Sequence, residues 1–568
     1  KPTLTSSESN IPSTMDTLSM KETDPDTEKH PSQDIETTPS QDVETNPSPE
    51  DEDNDPQYLS TKVLLSLMLA LGLSMFMASL DQTVVSVAIP TIAAEFHSLQ
   101  DVSWIGAAYF LTWTAFQGVY GKCSSIFGYK IMILFALFFF LVGSLICALA
   151  NSMVMLIVGR AIAGIGGAGI QSLTQIIITV VCPVRRRGMY QGLAGLFYMI
   201  GTAIGPLIGG AFTDHLGWRW AFYINLPLGA VSALAVVLVL RNQPAPGTTW
   251  KERFSRVDYL GLVLLLAWVI ILLLPLSWGG STYPWNSPII IVLFCLFAVL
   301  LALFLWVQWR IAKEPLMPLS VFIVHRNPVL IFMANLCMGM CLTGFIYYVP
   351  IIYQEGMGDS ATTSGVKFIP YMVSTIVMAI ITGILISVTL RYRPFAAMGP
   401  FIASIGTGLV TTWTLSTSTG MQVGCLILSG AGTGAFVVSA LFSAQAPTKK
   451  EDLPVTTSLV SFFRSLGGVI GVALFGTIFN NTLPKLITQA IPNIDPASMT
   501  AILEGDKTVM STYDQATQLL IRQASMEALK PVFYTTTALF CLAGLLVLAT
   551  AHVPLSKEDF KKLKETKD

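Results

Sequence analysis

The chain has 568 residues, of which 52% are hydrophobic and 12% charged, with a formal net charge of −2 and a mean hydropathy of +0.62. A soluble domain carries about 25% charged residues, so this composition excludes an ordinary soluble enzyme, and the near-neutral balance speaks against an electrostatic nucleic-acid binder. The eight cysteines form no CxxC pair, which leaves neither a zinc site nor a disulfide framework to read.

Residues 1–60 are rich in Ser, Thr, Pro, Asp and Glu and lack the apolar residues needed to bury a core. Pro31-Ser-Gln-Asp-Ile-Glu-Thr-Thr is followed by the near copy Pro39-Ser-Gln-Asp-Val-Glu-Thr-Asn, and an acidic run occupies Glu50 to Asp55. The expectation is a disordered acidic cytoplasmic tail, with Ser48-Pro49 as a weak phosphorylation cue.

From Lys62 onward, apolar stretches of the length that crosses a bilayer recur. They predict about fourteen transmembrane helices, at 63–90, 103–121, 131–150, 153–178, 189–211, 220–240, 258–277, 288–311, 328–353, 362–388, 395–413, 421–442, 454–480 and 532–552. Alternate connections are basic: Lys122 and Lys130, Arg185 to Arg187, Arg241 with Lys251, Arg253 and Arg256, Arg310 with Lys313 and Arg326, Arg391 and Arg393, and Lys449-Lys450. The positive-inside rule puts that set, and with an even helix count both termini, in the cytoplasm.

The chain also repeats itself. Gly201 and Gly205 recur as Gly467 and Gly471, and Gly164 and Gly166 as Gly430 and Gly432, each at an offset of 266 residues. A shared offset in two helix pairs predicts two homologous six-helix halves, at 61–241 and 328–553, with an insertion at 242–327 that holds helices seven and eight. A cytoplasmic tail is expected at 554–568 and an extracellular loop at 481–530, partly helical from Gln515 to Leu529. The sequon at Asn480 abuts the end of span thirteen, and the expectation is that it lies too close to the bilayer for glycosylation.

Within the fifth span, Gly201-Thr-Ala-Ile-Gly205-Pro206-Leu-Ile-Gly209-Gly210 combines small residues for close helix approach with a bend-permitting proline. Trp218-Arg-Trp220 and Asn225-Leu-Pro227 follow at once. The run resembles the antiporter signature of the drug:proton antiporters in the major facilitator superfamily. Leu80-Asp81-Gln82-Thr83 and Gly159-Arg160 are similar to that family's first-span and fourth-span motifs. Gly121-Lys122 to Gly128-Tyr-Lys130 occupies the position of its cytoplasmic gate loop, but Ser125 stands where an aspartate is usual and Tyr129 where an arginine is usual.

Residues 63–553 as a whole resemble a fourteen-span fungal efflux pump of this kind. The resemblance implies an all-α polytopic fold of two six-helix bundles plus two inserted helices. It implies export of amphipathic organic molecules across the plasma membrane, or a vacuolar one, driven by a proton gradient without any other cofactor. The implied partners are the small-molecule substrate, protons and the lipid bilayer, with no nucleic acid.

Charged residues in the membrane are costly unless paired or hydrated. Asp81 and Arg160 fall at the same depth, roughly 12–14 Å below the outer surface at 1.5 Å per residue. They read either as an ion pair that fixes helix packing or as a protonatable carboxylate tuned by its arginine. Arg464, near the midplane, reads as a site for an anionic group or as a partner for a backbone carbonyl. Gln82, Trp113, Gln117, Gln171, Gln175, Asn335, Tyr347 and Tyr348 complete a candidate substrate cavity suited to bulky amphipathic molecules.

No GxxxxGK[ST] loop, HExxH or metal-ligand spacing appears, so neither an ATP-driven pump nor a metalloenzyme is supported. Two other readings stay open at this stage: a siderophore or basic amino-acid transporter of the same superfamily, and a membrane sensor that transports nothing.

Overall fold

The computed structural model describes residues 61–96, 102–240, 249–280, 283–318, 321–322 and 326–492, isolated positions between 494 and 510, then 512–551 and 553. The expected tails at 1–60 and 554–568, and His97, His325 and His552, lie outside the described residues.

The first half consists of α1 (Thr61–Phe96), α2 (Val102–Phe127), α3 (Tyr129–Ala148), α4 (Met153–Val181), α5 (Val184–His215), the short α6 (Trp220–Tyr223) and α7 (Asn225–Val239). The connecting segment holds α8 (Trp250–Ser255), α9 (Tyr259–Trp278) and α10 (Pro288–Arg310). The second half consists of α11 (Arg326–Ile351) with a π-helical turn at Ile352–Gly356, α12 (Ala361–Thr389), α13 (Arg393–Val410), α14 (Thr419–Gln445), α15 (Leu453–Ala490) and α16 (Gln515–Leu548).

Twelve of these helices are long and apolar enough to cross a membrane. The stretches expected at 103–121 and 395–413 are helical too, as α2 and α13, but are more dilute in apolar residues. Large apolar side chains are splayed outward, such as Leu238 at 75% exposed and Val388 at 76%. An outer surface of that kind is stable against lipid and unstable against water.

Short polar signals start the helices. Ser152, Ser360 and Ser418 each accept a hydrogen bond from the backbone N–H three residues on, at the heads of α4, α12 and α14. Gly128, with φ +92°, makes the sharp joint between α2 and α3 that a residue with a Cβ would resist.

The two halves use the same small-residue joints. In α4, a Cβ on Gly164 would strike the Tyr109 carbonyl of α2, and one on Gly166 the Phe140 amide of α3. In α14, a Cβ on Gly430 would strike the Tyr371 carbonyl of α12, and one on Gly432 the Ala403 amide of α13. The pairing of α5 with α1 is likewise matched by that of α15 with α11, where Gly467 lies against the Leu336 carbonyl. Close packing of backbones is the main source of helix association in lipid, where water supplies no hydrophobic drive.

α9 packs on α2 and on α15, with Trp268 edge-on to Phe462 at 6.0 Å, while α10 covers α9 from outside. In the segment expected as a loop at 481–530, the helix read from Gln515 is present, and the difference lies at the start of the segment, which is helical as well. α15 runs on to Ala490 and α16 begins at Gln515, and the two extensions meet through Leu483, Ile487, Ile521 and Ala528. Asn480 is thus in the body of a helix.

Candidate functional site

The helix ends that carry Lys122, Lys130, Arg256, Arg310 and Arg393 are called here the basic end. Four layers of polar residues can be followed from the opposite end toward it.

The first is a buried knot inside the first half. Arg160 Nη1 donates to Asp81 Oδ2 at 2.6 Å, with the arginine 2% and the aspartate 0% exposed. Asn225 Nδ2 donates to Asp81 Oδ1 at 2.9 Å and lies 3.1 Å from Ser144 Oγ. Arg160 Nε donates to the Ile105 carbonyl at 3.2 Å, and the guanidinium lies 4.2 Å from the Tyr109 ring centroid. A buried ion pair is tolerable only when its remaining hydrogen-bonding positions are filled, and here five helices contribute to filling them.

The glycines of α5 set the position of Asp81. Added Cβ atoms would overlap the Ser79 hydroxyl at Gly201, the Thr83 hydroxyl at Gly205 and the Val84 carbonyl at Gly209. The α1 backbone on both sides of Asp81 is therefore clamped to α5. Gly210 lies outside this seam, with Val87 in ordinary contact at 3.8 Å, and Pro206 is on the exposed side of an α5 that continues through it. Beyond the knot, Trp218 Nε1 and Arg219 Nη2 donate to the Glu95 carboxylate at 2.6 and 2.8 Å. These bonds, the arginine's first, hold Glu95 below the usual carboxylate range.

The second layer faces the space between the halves. Tyr198 donates to Gln82 Oε1 at 2.9 Å. Arg464 of α15 lies within electrostatic range of Tyr198 from the opposite half. Both side chains are only part-buried. Tyr347 of α11 is 51% exposed. Among the described residues, no hydrogen bond or ion pair is made by the Arg464 guanidinium.

The third layer joins the halves. Ser458 Oγ donates to the Gln117 carbonyl at 2.6 Å, Ser461 Oγ to Gln175 Oε1 at 2.7 Å, and Gln445 Nε2 to Thr179 Oγ1 at 3.1 Å. The Gln117 and Gln171 amides are 2.9 Å apart. At this level a Cβ on Gly188 would strike Gly383 of the other half, and one on Gly121 would meet Ser458. The halves are sealed here, toward the basic end.

The fourth layer lies outside the seal. Lys122 Nζ contacts Glu314 Oε2 at 2.9 Å, and Arg256 Nε donates to Glu314 Oε1 at 2.6 Å. Lys130 Nζ donates to the Val237 carbonyl at 2.7 Å. Among the described residues, Ser125 bonds only within its own helix, to the Gly121 carbonyl.

The residues expected to line one cavity therefore divide. Gln82 is bonded to Tyr198, Arg464 lies near that tyrosine and Tyr347 is exposed, whereas Gln117, Gln171 and Gln175 belong to the seal. Tyr348 is 8% exposed and packs edge-on to Phe475 and Phe479, so it joins α11 to α15. Asn335 is buried and donates to the Ile331 carbonyl of its own helix. Trp113 is buried against Tyr109, its indole nitrogen 3.0 Å from the Gln117 amide. Asn225, Tyr198, Ser458, Ser461, Gln445 and Glu314 were not singled out from sequence. Only the first two carried a signal, as polar residues embedded in a motif.

A family model described as Major Facilitator Superfamily matches residues 71–472. The chain is 38% identical over 478 residues to an MFS-type efflux pump, MFS1, of Arthroderma benhamiae, covering 83% of this chain and 88% of that protein. It is 36% identical over 502 residues to the MFS-type transporter astH of Aspergillus oryzae, covering 88% of each. Among solved structures, the proton:xylose symporter XylE superposes with a TM-score of 0.54 at 12% identity, covering 85% of this chain and 95% of that one.

Proposed function

This chain belongs to the major facilitator superfamily, as an efflux transporter of the fungal type, and from that premise we propose that it exchanges protons for amphipathic organic molecules, carrying toxins, secondary metabolites or drugs out of the cell. The observation that carries the reading is the buried Asp81–Arg160–Asn225 knot beside the Gln82–Tyr198 wall. A carboxylate held in this way has two discrete states. Deprotonated, it binds Arg160 and Asn225; protonated, it releases Arg160 to the Ile105 carbonyl and the Tyr109 ring. Because Asp81 and Gln82 are consecutive in α1, a shift of α1 along its glycine seam moves the knot and the cavity wall together.

The basic end is the cytoplasmic one by the positive-inside rule. Closure at Ser458 and Ser461 then makes this conformer the one that releases substrate to the outside. The protein acts in the plasma membrane, with both termini in the cytoplasm.

Substrate flux in sealed proteoliposomes under an imposed pH gradient tests the reading. Asp81→Asn should abolish uphill export while preserving substrate binding. Undiminished uphill transport by that variant would remove Asp81 as the proton carrier.

A further inference from the structure

We infer that the cavity binds an organic anion, with Arg464 as its counter-charge. This rests on the export reading above and names the substrate class. In the middle of the spans, Asp81 and Arg160 neutralise one another at 2.6 Å. Arg464 is left as an additional positive charge. Other charged side chains of the spanning helices lie nearer their ends, as with Lys367, paired to Asp359. An isolated cation at this depth costs several kcal/mol, so hydration or a ligand must compensate it.

The backbone fixes where that charge is presented. A Cβ on Gly339 of α11 would strike the Arg464 carbonyl, and Gly467 and Gly471 continue the same close seam. The α11 side of α15 is thus occupied by backbone, and the Arg464 side chain reaches instead the neighbourhood of Tyr198 in the other half. Arg464 is one turn past Ser461, about 4.5 Å along the axis at 1.5 Å per residue. It stands one turn beyond the seal, on the side away from the basic end.

The surroundings specify the rest of the ligand. Phe463, next to Arg464, is part-buried with one face covered by the core residue Phe332, and Tyr347 offers an accessible ring from α11. A guanidinium binds a carboxylate through two parallel hydrogen bonds, while the aromatic walls favour an apolar body. The fitting class is an amphipathic organic acid.

The test uses full-length protein in lipid nanodiscs. Quenching of tryptophan fluorescence measures binding of 1-pyrenebutyric acid and of its neutral amide, after subtraction of empty nanodiscs. Wild type should bind the acid at least tenfold tighter than the amide. Arg464→Gln should remove that preference without changing amide affinity, and Arg464→Lys should retain most of it. Equal wild-type affinities, or a preference that survives Arg464→Gln, would overturn the inference. The wild-type comparison decides alone if Arg464→Gln does not fold. Efflux of a panel of neutral drugs and organic acids from proteoliposomes decides the export reading separately: efflux without acid preference sinks only the anion site, and efflux of neither class sinks the export reading.

Discussion

Glu314, just beyond the end of α10, accepts the Lys122 ammonium at 2.9 Å, so the connection after the inserted helices is tied to the last turns of α2. The stretch expected as a gate loop, Gly121 to Lys130, is helical except at Gly128, with Ser125 in α2 and Tyr129 in α3 where the motif it resembles carries an acid and a base. Arg256, ahead of α9, binds the same carboxylate. The insertion thus contributes a charge clasp to the first half at the basic end, outside the neutral seal made by Gln117, Gln175, Ser458 and Ser461.

Glu314→Gln should loosen the closed end. An exposed ion pair is worth up to about 1 kcal/mol, so the expected change is a several-fold rise in the open population. Maleimide labelling of Val455→Cys, a buried residue that faces Gly121, measures it from the basic side. Unchanged labelling would show that the neutral seal holds this end by itself.

The same clasp has a defined pH response. Hydrogen bonding by Arg256 first, and then Lys122, holds the Glu314 carboxyl below its usual range. A depressed pKa stabilises the closed form above the ordinary carboxylate value, about 4.3, and that contribution is lost as pH falls through the depressed one. Labelling should be flat from neutral pH to about pH 5 and rise only in stronger acid. A rise centred between pH 6 and 7 would implicate a different group.

Asn225→Ala would leave Asp81 Oδ1 without its donor in a buried site. The expected cost is about 1–3 kcal/mol, read as a lower midpoint in thermal unfolding. If Asn225 also positions the carboxylate for protonation, the pH dependence of transport should shift, and Asn225→Ser should restore it in part. A change in stability with an unaltered pH profile would confine the residue to packing.

Gly205→Leu should force α5 away from Thr83 and impair transport more than abundance, by at least fivefold per molecule. Pro206→Ala, on the exposed side of a continuous helix, should have the smaller effect. Export flux normalised to membrane protein compares them, and equal rates in both variants and wild type would show that the glycine seam does not gate.

Arg160→Ala should uncouple export from the pH gradient, because the aspartate loses its charge partner. Downhill flux of a neutral substrate should persist. Intact pH-driven accumulation in this variant would assign coupling elsewhere.

Much of the architecture was legible in the chain because lipid imposes simple rules. A crossing helix needs about twenty apolar residues, basic loops mark one side, and close backbone packing demands small residues at fixed spacing. Hence Gly164 and Gly430 announced the repeat, and Asp81 and Arg160 could be placed at one depth before any contact was known. Rotation about each helix axis was not legible. In a bundle surrounded by lipid, core and exterior are both apolar, so a polar residue's direction leaves no periodic trace. Tertiary packing alone turned Tyr348 and Asn335 into the interior of the second half, brought Ser458 and Ser461 against Gln117 and Gln175, and set Asn225 on Asp81. It also left Arg464 facing the space between the halves, since the α11 side of α15 was already filled by backbone.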